Sequence, residues 1–276
     1  MQRTRGGGRL SVKLSDGESR IDRLYQEGSA RIRIPRVPRG MPLEAVLINT
    51  AGGLTGGDCM TWEFETGEGA AMTLATQACE KTYKAQGESE ARVSVTLKLN
   101  PGSSLAWLPQ ETILFDHARL SRLIEVDMAA GARLLMVEPL VFGRLAMNER
   151  VVKGFFRDRW RIRFDGSLVH AEEMRLGPDI AETLSKMAVA GGGVAVATVL
   201  MIAPEAEARL ATARSLLGDS GGVSYLPARQ QSGMVPESGK LLARLVARDS
   251  YELRKLLVPL IRLLNPLGGM PKVWSI

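Results

Sequence analysis

The chain has 276 residues, 45% of them hydrophobic, enough to bury a full core in one large domain or two. Its formal net charge of +6 comes from 36 basic and 30 acidic residues spread along the sequence, and two cysteines, Cys59 and Cys79, do not make a disulfide framework. No apolar run reaches the roughly 18 residues of a membrane span.

The longest such run, Val194 to Ala203, is broken by Thr198, and the charged start Met1 to Gly8 leads into no apolar stretch. Neither a span nor a secretion signal is therefore expected, and a cytoplasmic location is the simplest inference. The first predicted strands are Arg9 to Leu14, Ile21 to Tyr25 and Ala30 to Ile34, after which Pro35, Pro38 and Pro42 keep the chain irregular. The apolar run Ala45 to Ile48 then enters Asn49-Thr50-Ala51-Gly52-Gly53-Leu54-Thr55-Gly56-Gly57-Asp58-Cys59, and an alternating run from Met60 to Glu65 leaves it. Two glycine pairs between strands imply backbone angles or close approaches that a Cβ forbids. The loop opens no helix and fits neither G-x-G-x-x-G nor a P-loop, which argues against nucleotide binding. It either presents Asp58 to a partner or a channel mouth, or is a tight structural turn in a β-rich core.

An internal repeat follows. Thr61 to Gln77, Val93 to Gln110 and Ile124 to Pro139 each read as strand, small-residue turn and strand, centred on Gly69, Gly102 and Gly131. Units of this period that cannot bury an apolar face alone stack on their neighbours. The insertions Ala78 to Glu90, Glu111 to Leu120 and Leu140 to Val152 then fall on one side. A strand tract from Trp160 to Leu176, a break at Gly191 to Gly193 and an apolar strand from Val194 to Ile202 come next.

Helices are predicted only late. Pro204 to Leu217 has Glu205 and Glu207 in its first turn and Gly218 at its C-cap. A second begins at Asp249, with Glu252 completing a capping-box arrangement. Leu253, Leu256, Leu257, Leu260, Ile261 and Leu264 form its apolar stripe. Pro259 lies inside that stripe and predicts a kink, with Asn265 to Gly269 ending the element. The expected fold is mainly β, a stacked β-hairpin or β-helix-like core with two α-helices in the C-terminal half.

Gly218-Asp219-Ser220-Gly221-Gly222 spells the nucleophile loop of trypsin-like proteases, and Asp179-Ile180-Ala181 echoes that family's aspartate segment. The only histidines, His117 and His170, lack the matching context, so catalysis by Ser220 is not expected. Arg157, Arg159, Arg161 and Arg163 alternate onto one face of a strand, a solvated side or a rim for an acidic partner more readily than a nucleic-acid surface. Metal spacings such as H-E-x-x-H or C-x-x-C are absent. Instead, Glu138 interrupts the apolar run Leu134 to Phe142, and Glu172 follows Leu168-Val169-His170-Ala171. Such carboxylates need a cation, a hydrogen-bond partner, an arginine or water beside them. Asp58-Cys59 and Cys79-Glu80-Lys81 fall at corresponding strand ends and could approach each other. The cysteines read best as small buried apolar residues, and His117 as a loop residue at the edge.

Gly52-Gly53-Leu54-Thr55-Gly56-Gly57-Asp58, Thr76 through Lys84, Trp107-Leu108-Pro109-Gln110-Glu111-Thr112-Ile113-Leu114-Phe115-Asp116 and Glu138-Pro139-Leu140-Val141-Phe142-Gly143-Arg144 together resemble the urease accessory protein family UreD, also called UreH. Asp158-Arg159-Trp160 and Pro271-Lys272-Val273-Trp274 fit as well. The resemblance covers nearly the whole chain and implies one UreD-like domain over residues 1–276, with a β repeat core over about 43–176 and a helix-containing part over about 194–276.

It further implies a non-enzymatic maturation factor without a fixed cofactor, complexed with UreF and the GTPase UreG and docked on apo-urease, helping nickel reach the urease centre. The family's proposed water-filled route places transient nickel contacts at Asp58, Glu138 and Glu172, and Glu80 adds a candidate ligand where relatives often have a small or hydroxyl residue. His117 stands where relatives often have glycine. Gly52, Gly53, Gly56 and Gly57 form the structural loop. The rival expectation is a pure assembly scaffold without metal passage.

Overall fold

The computed structural model describes residues 3–144, 147–227, 238–265 and 268–275. Its strands are Arg5–Ser15 (β1), Glu18–Gly28 (β2), Ala30–Arg33 (β3), Leu43–Asn49 (β4), Cys59–Thr66 (β5), Ala71–Thr76 (β6), Glu80–Thr82 (β7), Ala91–Leu99 (β8) and Ser104–Leu108 (β9). They continue with Thr112–Leu114 (β10), Arg119–Met128 (β11), Arg133–Phe142 (β12), Phe155–Phe164 (β13), Ser167–Leu176 (β14), Ala195–Ile202 (β15), Gly221–Leu226 (β16) and Lys240–Ala247 (β17). The helices are Ile180–Ser185 (α1), Ala206–Leu217 (α2) and Ser250–Leu264 (α3).

Two sheets face each other. Among the described residues sheet A has the order β14-β13-β11-β8-β5-β1-β2, and sheet B runs β16-β17-β15-β12-β9-β6-β4-β3, with β7 and β10 paired to each other and β10 to β12. The centres of both sheets are parallel: β1, β5, β8, β11 and β13 in one, β4, β6, β9 and β12 in the other. Antiparallel strands close the ends.

The two strands of each repeat are thus not paired as a hairpin. β5 and β6, β8 and β9, and β11 and β12 form arches, one strand in each sheet, and every strand pairs with its counterpart in the next repeat. The arch turns need glycine because Gly69, Gly102 and Gly131 have φ of 63°, 64° and 69°. They also stack by backbone hydrogen bonds, Gly69 N to Pro101 O at 3.0 Å and Gly102 N to Ala130 O at 2.9 Å. The insertions at 78–90 and 111–120 carry β7 and β10, which extend sheet B.

Sequence patterning explains the layers. β11 and β13 alternate between buried and half-exposed residues, so one face of sheet A is in the core and the other in solvent. From Leu134 to Phe142 every residue of β12 is buried, because sheet B is covered on both faces. One face packs on sheet A, and the other lies under α2 and α3 in a cluster that includes Leu135, Val137, Leu253, Leu257 and Leu260.

α3 runs through Pro259 to Leu264, and its cap is as expected, Asp249 accepting from Glu252 N at 2.8 Å. Pro266 and Leu267, read as part of its stop signal, lie outside the described residues. α1 is a short additional helix. Between the sheets the apolar interior is divided into one cluster around Trp62, Trp107, Met136 and Trp160 and another around Leu54, Leu114, Leu140 and Phe156.

Candidate functional site

The glycine loop connects β4 to β5, and two of its glycines, Gly53 and Gly56, are pressed against the protein's own backbone. A Cβ on Gly56 would lie 2.3 Å from Ser89 O, and one on Gly53 would lie 2.7 Å from Lys81 O. Gly57 is packed on Arg3, whereas Gly52, at φ 77°, has open space beside it. Asp58 is buried, with Oδ1 accepting from Thr4 N and Oδ2 from Thr55 N, both at 2.8 Å. The loop is therefore a tight turn whose carboxylate ties the N-terminal segment to β5.

Glu138 lies in a different place, between the two apolar interior clusters. It projects from β12 toward sheet A, where alternation aims Arg122 inward between Leu120 and Ile124, and Asp158 inward between Phe156 and Trp160. Arg122 binds Asp158 bidentately at 3.0 and 2.7 Å and donates to Thr112 Oγ1 at 3.2 Å. Trp160 Nε1 donates to Asp158 at 3.2 Å, and Trp107 Nε1 donates to Glu138 Oε1 at 2.6 Å. Glu138 Oε2 is 2.6 Å from Arg122 Nη1, a charge contact whose angle falls outside hydrogen-bond geometry.

Electrostatics follow from one cation facing two buried carboxylates. Burial opposes the charged guanidinium of Arg122, yet Asp158 and Glu138 hold it protonated. Burial raises the Glu138 carboxyl to about 7; Arg122 pulls it back and the charge on Asp158 adds to the rise. A proton on Glu138 relieves the excess negative charge, which is what a low-dielectric layer with a single guanidinium demands.

Glu172, on β14, is reached by Arg244 Nη2 at 2.8 and 2.6 Å. Glu138, Thr198 and Arg244 are register partners across β12, β15 and β17. A line of polar groups thus runs from the interior through Thr198 and Arg244 to Glu172 at the sheet edge. Beside it, His170 is lowered to about 4 by burial, with Lys240 adding to the effect.

Glu80 is separate again. Half-buried on β7, it receives Asn49 Nδ2 at 3.2 and 3.3 Å, and burial lifts it to about 7 against that hydrogen bond. Cys79 donates to Glu111 at 3.3 Å, and its thiol is pushed up to about 11 by burial, reinforced by Glu111. Burial works to raise Glu111, but the hydrogen bonds and charge of Arg254 outweigh it and hold it below its ordinary range.

Cys59 lies on the solvent side of sheet A, in register with Arg5 and Arg92, so the two cysteines sit in different environments. His117 is an exposed loop residue at φ 59°, 3.4 Å from Asp116. Ser220 ends a 3-10 turn after α2, and no hydrogen bond joins it to either histidine or to Asp179 among the described residues. The described residues contain no group of three or more His, Cys, Asp or Glu able to hold a metal. The sequence singled out Glu138 and Glu172, named Asp158 only as part of a resembling segment, and missed Arg122 and Arg244. Leu120-Ser121-Arg122-Leu123-Ile124 did carry a signal, since strict alternation puts Arg122 on the core face.

The fold and this polar layer define a stacked β scaffold with a neutralised charged seam, helix-covered on one side. The UreD urease accessory protein family model matches residues 4–275. The chain is 52% identical over 276 residues to urease accessory protein UreD 1 of Brucella melitensis, covering 100% of this chain and 95% of the relative. It is 52% identical over 275 residues to UreD of Mesorhizobium japonicum, covering 100% and 95%, and 53% identical over 278 residues to UreD 1 of Brucella anthropi, covering 99% and 95%. The chain belongs to the UreD family of urease accessory proteins.

Proposed function

We propose that this protein acts in urease maturation as a non-catalytic assembly platform that complexes with UreF and UreG and docks on apo-urease. One observation supports a platform over a metal carrier: of the four acidic groups proposed for the route, Asp58, Glu138 and Glu172 are already engaged by strong donors. Backbone amides hold Asp58, Arg122 holds Glu138 and Arg244 holds Glu172. A nickel ion seeking oxygen ligands would have to displace a guanidinium or strip an amide cage, both unfavourable.

Nickel passage is the second reading, and the polar line from Glu138 through Thr198 and Arg244 to Glu172 favours it. In that reading nickel is cargo, handed between weak oxygen contacts at Asp58, Glu80, Glu138 and Glu172 and released toward urease.

Co-purification from cells expressing the urease genes tests the platform. Tagged protein is expected to bring down apo-urease, UreF and UreG, and recovery of none of them would overturn the reading. Glu138→Gln and Glu172→Leu separate the two mechanisms. A platform keeps full nickel content in the urease it helps activate wherever assembly survives, whereas a conduit assembles normally and leaves urease short of nickel.

A further inference from the structure

We propose that the solvent face of sheet A carries, at one register level, a docking row of arginines for an acidic protein surface. The strand register aligns Arg5, Cys59, Arg92, Ser121, Arg157 and Arg175 straight across β1, β5, β8, β11, β13 and β14. At a strand spacing of about 4.8 Å the row spans roughly 24 Å. It holds four arginines and no carboxylate.

No other level of this face is so unbalanced. Farther along the strands basic and acidic residues share their levels: Arg9 contacts Glu63 at 3.1 Å, Lys98 contacts Glu65 at 2.9 Å and Arg163 contacts Glu125 at 3.5 Å, while Arg159 has Glu173 as its register partner. At the strand starts Arg119 contacts Glu88 at 3.1 Å. Within the row, Arg157 binds Glu173 of the neighbouring level at 2.7 Å, and Arg175 stacks on Phe155, which Arg119 also covers. Arg5 and Arg92 are exposed and have no carboxylate partner among the described residues.

Arg5 and Arg92, without carboxylate partners among the described residues and in line with Arg157 and Arg175 on a rigid sheet, are pre-oriented donors for carboxylates, and steering by such a patch favours an acidic partner. A nucleic acid fits less well. A continuous phosphate backbone laid over this face would extend past the row onto Glu63, Glu125 and Glu173, whose charges repel it, whereas the carboxylates of a protein surface can be confined to the row.

Titration of a fluorescent oligoglutamate peptide about as long as the row, at low and high salt, tests the proposal. The protein is expected to bind it saturably and more weakly as salt rises. Arg5→Glu with Arg92→Glu is expected to weaken binding about tenfold or more, while Arg9→Glu with Arg163→Glu, the same charge change on balanced levels, weakens it about twofold. Equal losses in the two double variants, or no saturable binding, would overturn the row. Tighter binding of an oligothymidylate that the first double variant abolishes would overturn it in favour of a nucleic-acid surface. Circular dichroism of both variants confirms folding, and the readout needs no urease component.

Discussion

At the residue scale, the decisive group is Arg122, a buried cation that two carboxylates and a threonine share. Removing one member of a buried ion cluster leaves the others without compensation, so Arg122→Met is expected to cost about 3–5 kcal/mol in urea unfolding. Replacing Arg122, Asp158 and Glu138 together by apolar residues of similar size is expected to cost far less, since buried ion clusters exchanged for well-packed apolar groups are often neutral. If the single variant is as stable as the triple one, the layer is not electrostatically coupled.

Two groups in separate parts of the fold give opposite pH signatures. His170 is depressed to about 4, so the unfolded chain binds the extra proton and stability is lost as pH falls from about 6.5 toward 4. Glu80 is raised to about 7, so the folded chain keeps the proton and stability is lost as pH rises from about 4.5 to 7. Melting curves of His170→Leu are expected to show a flatter acid limb. Those of Glu80→Gln are expected to gain on the parent at pH about 8 and to match it near pH 4, by an amount reduced by partial exposure.

At the element scale, the glycine loop is shaped by contact more than by dihedral freedom alone. Gly56→Ala drives a Cβ into Ser89 O and is expected to cost about 2–3 kcal/mol, while Gly52→Ala meets open space and loses only about 1 kcal/mol to its left-handed backbone. Thermal denaturation of the two variants checks the order.

The arch strands were legible because alternation and turn glycines are local signals, and the Asp249 cap and the leucine stripe of α3 were legible for the same reason. β7 and β10 were not: three residues each, they exist only because each pairs with the other and β10 also pairs with β12. β16 and β17 were also missed, since nothing local announces which sheet edge accepts them. The expectation of a stacked β-hairpin or β-helix-like core left both arrangements open because a strand-turn-strand pattern looks the same whether its two strands pair or part; the parallel stack is the β-helix-like one.

At the scale of the whole molecule, the layered stack predicts a gradient of protection. β11 and β12 lie in the middle of their sheets, whereas β2 has a single neighbour and is exposed along most of its length. Native-state hydrogen exchange is expected to be slowest in β11 and β12 and fastest in β2. Comparable rates would mean that the stack opens as one unit.

The candidate site was half legible at this scale. A carboxylate inside the apolar run of β12 announced that Glu138 needs a partner, but only the facing of two sheets reveals that the partner is Arg122, sixteen residues earlier in the chain and in the opposite layer. The register that aligns Arg5 with Arg175 likewise spans strands far apart in sequence, beyond the reach of any local pattern.

α2 and α3 roof the outer face of sheet B, and this makes the body chemically two-sided. An arginine-directed reagent such as phenylglyoxal would decorate the bare sheet most heavily near Arg5 and Arg92, while the leucines beneath α3 stay shielded from any aqueous probe. A companion protein that shelters the bare side would leave a footprint of spared guanidines, so the orientation of this molecule within a larger particle could be mapped by labelling before any such particle is imaged.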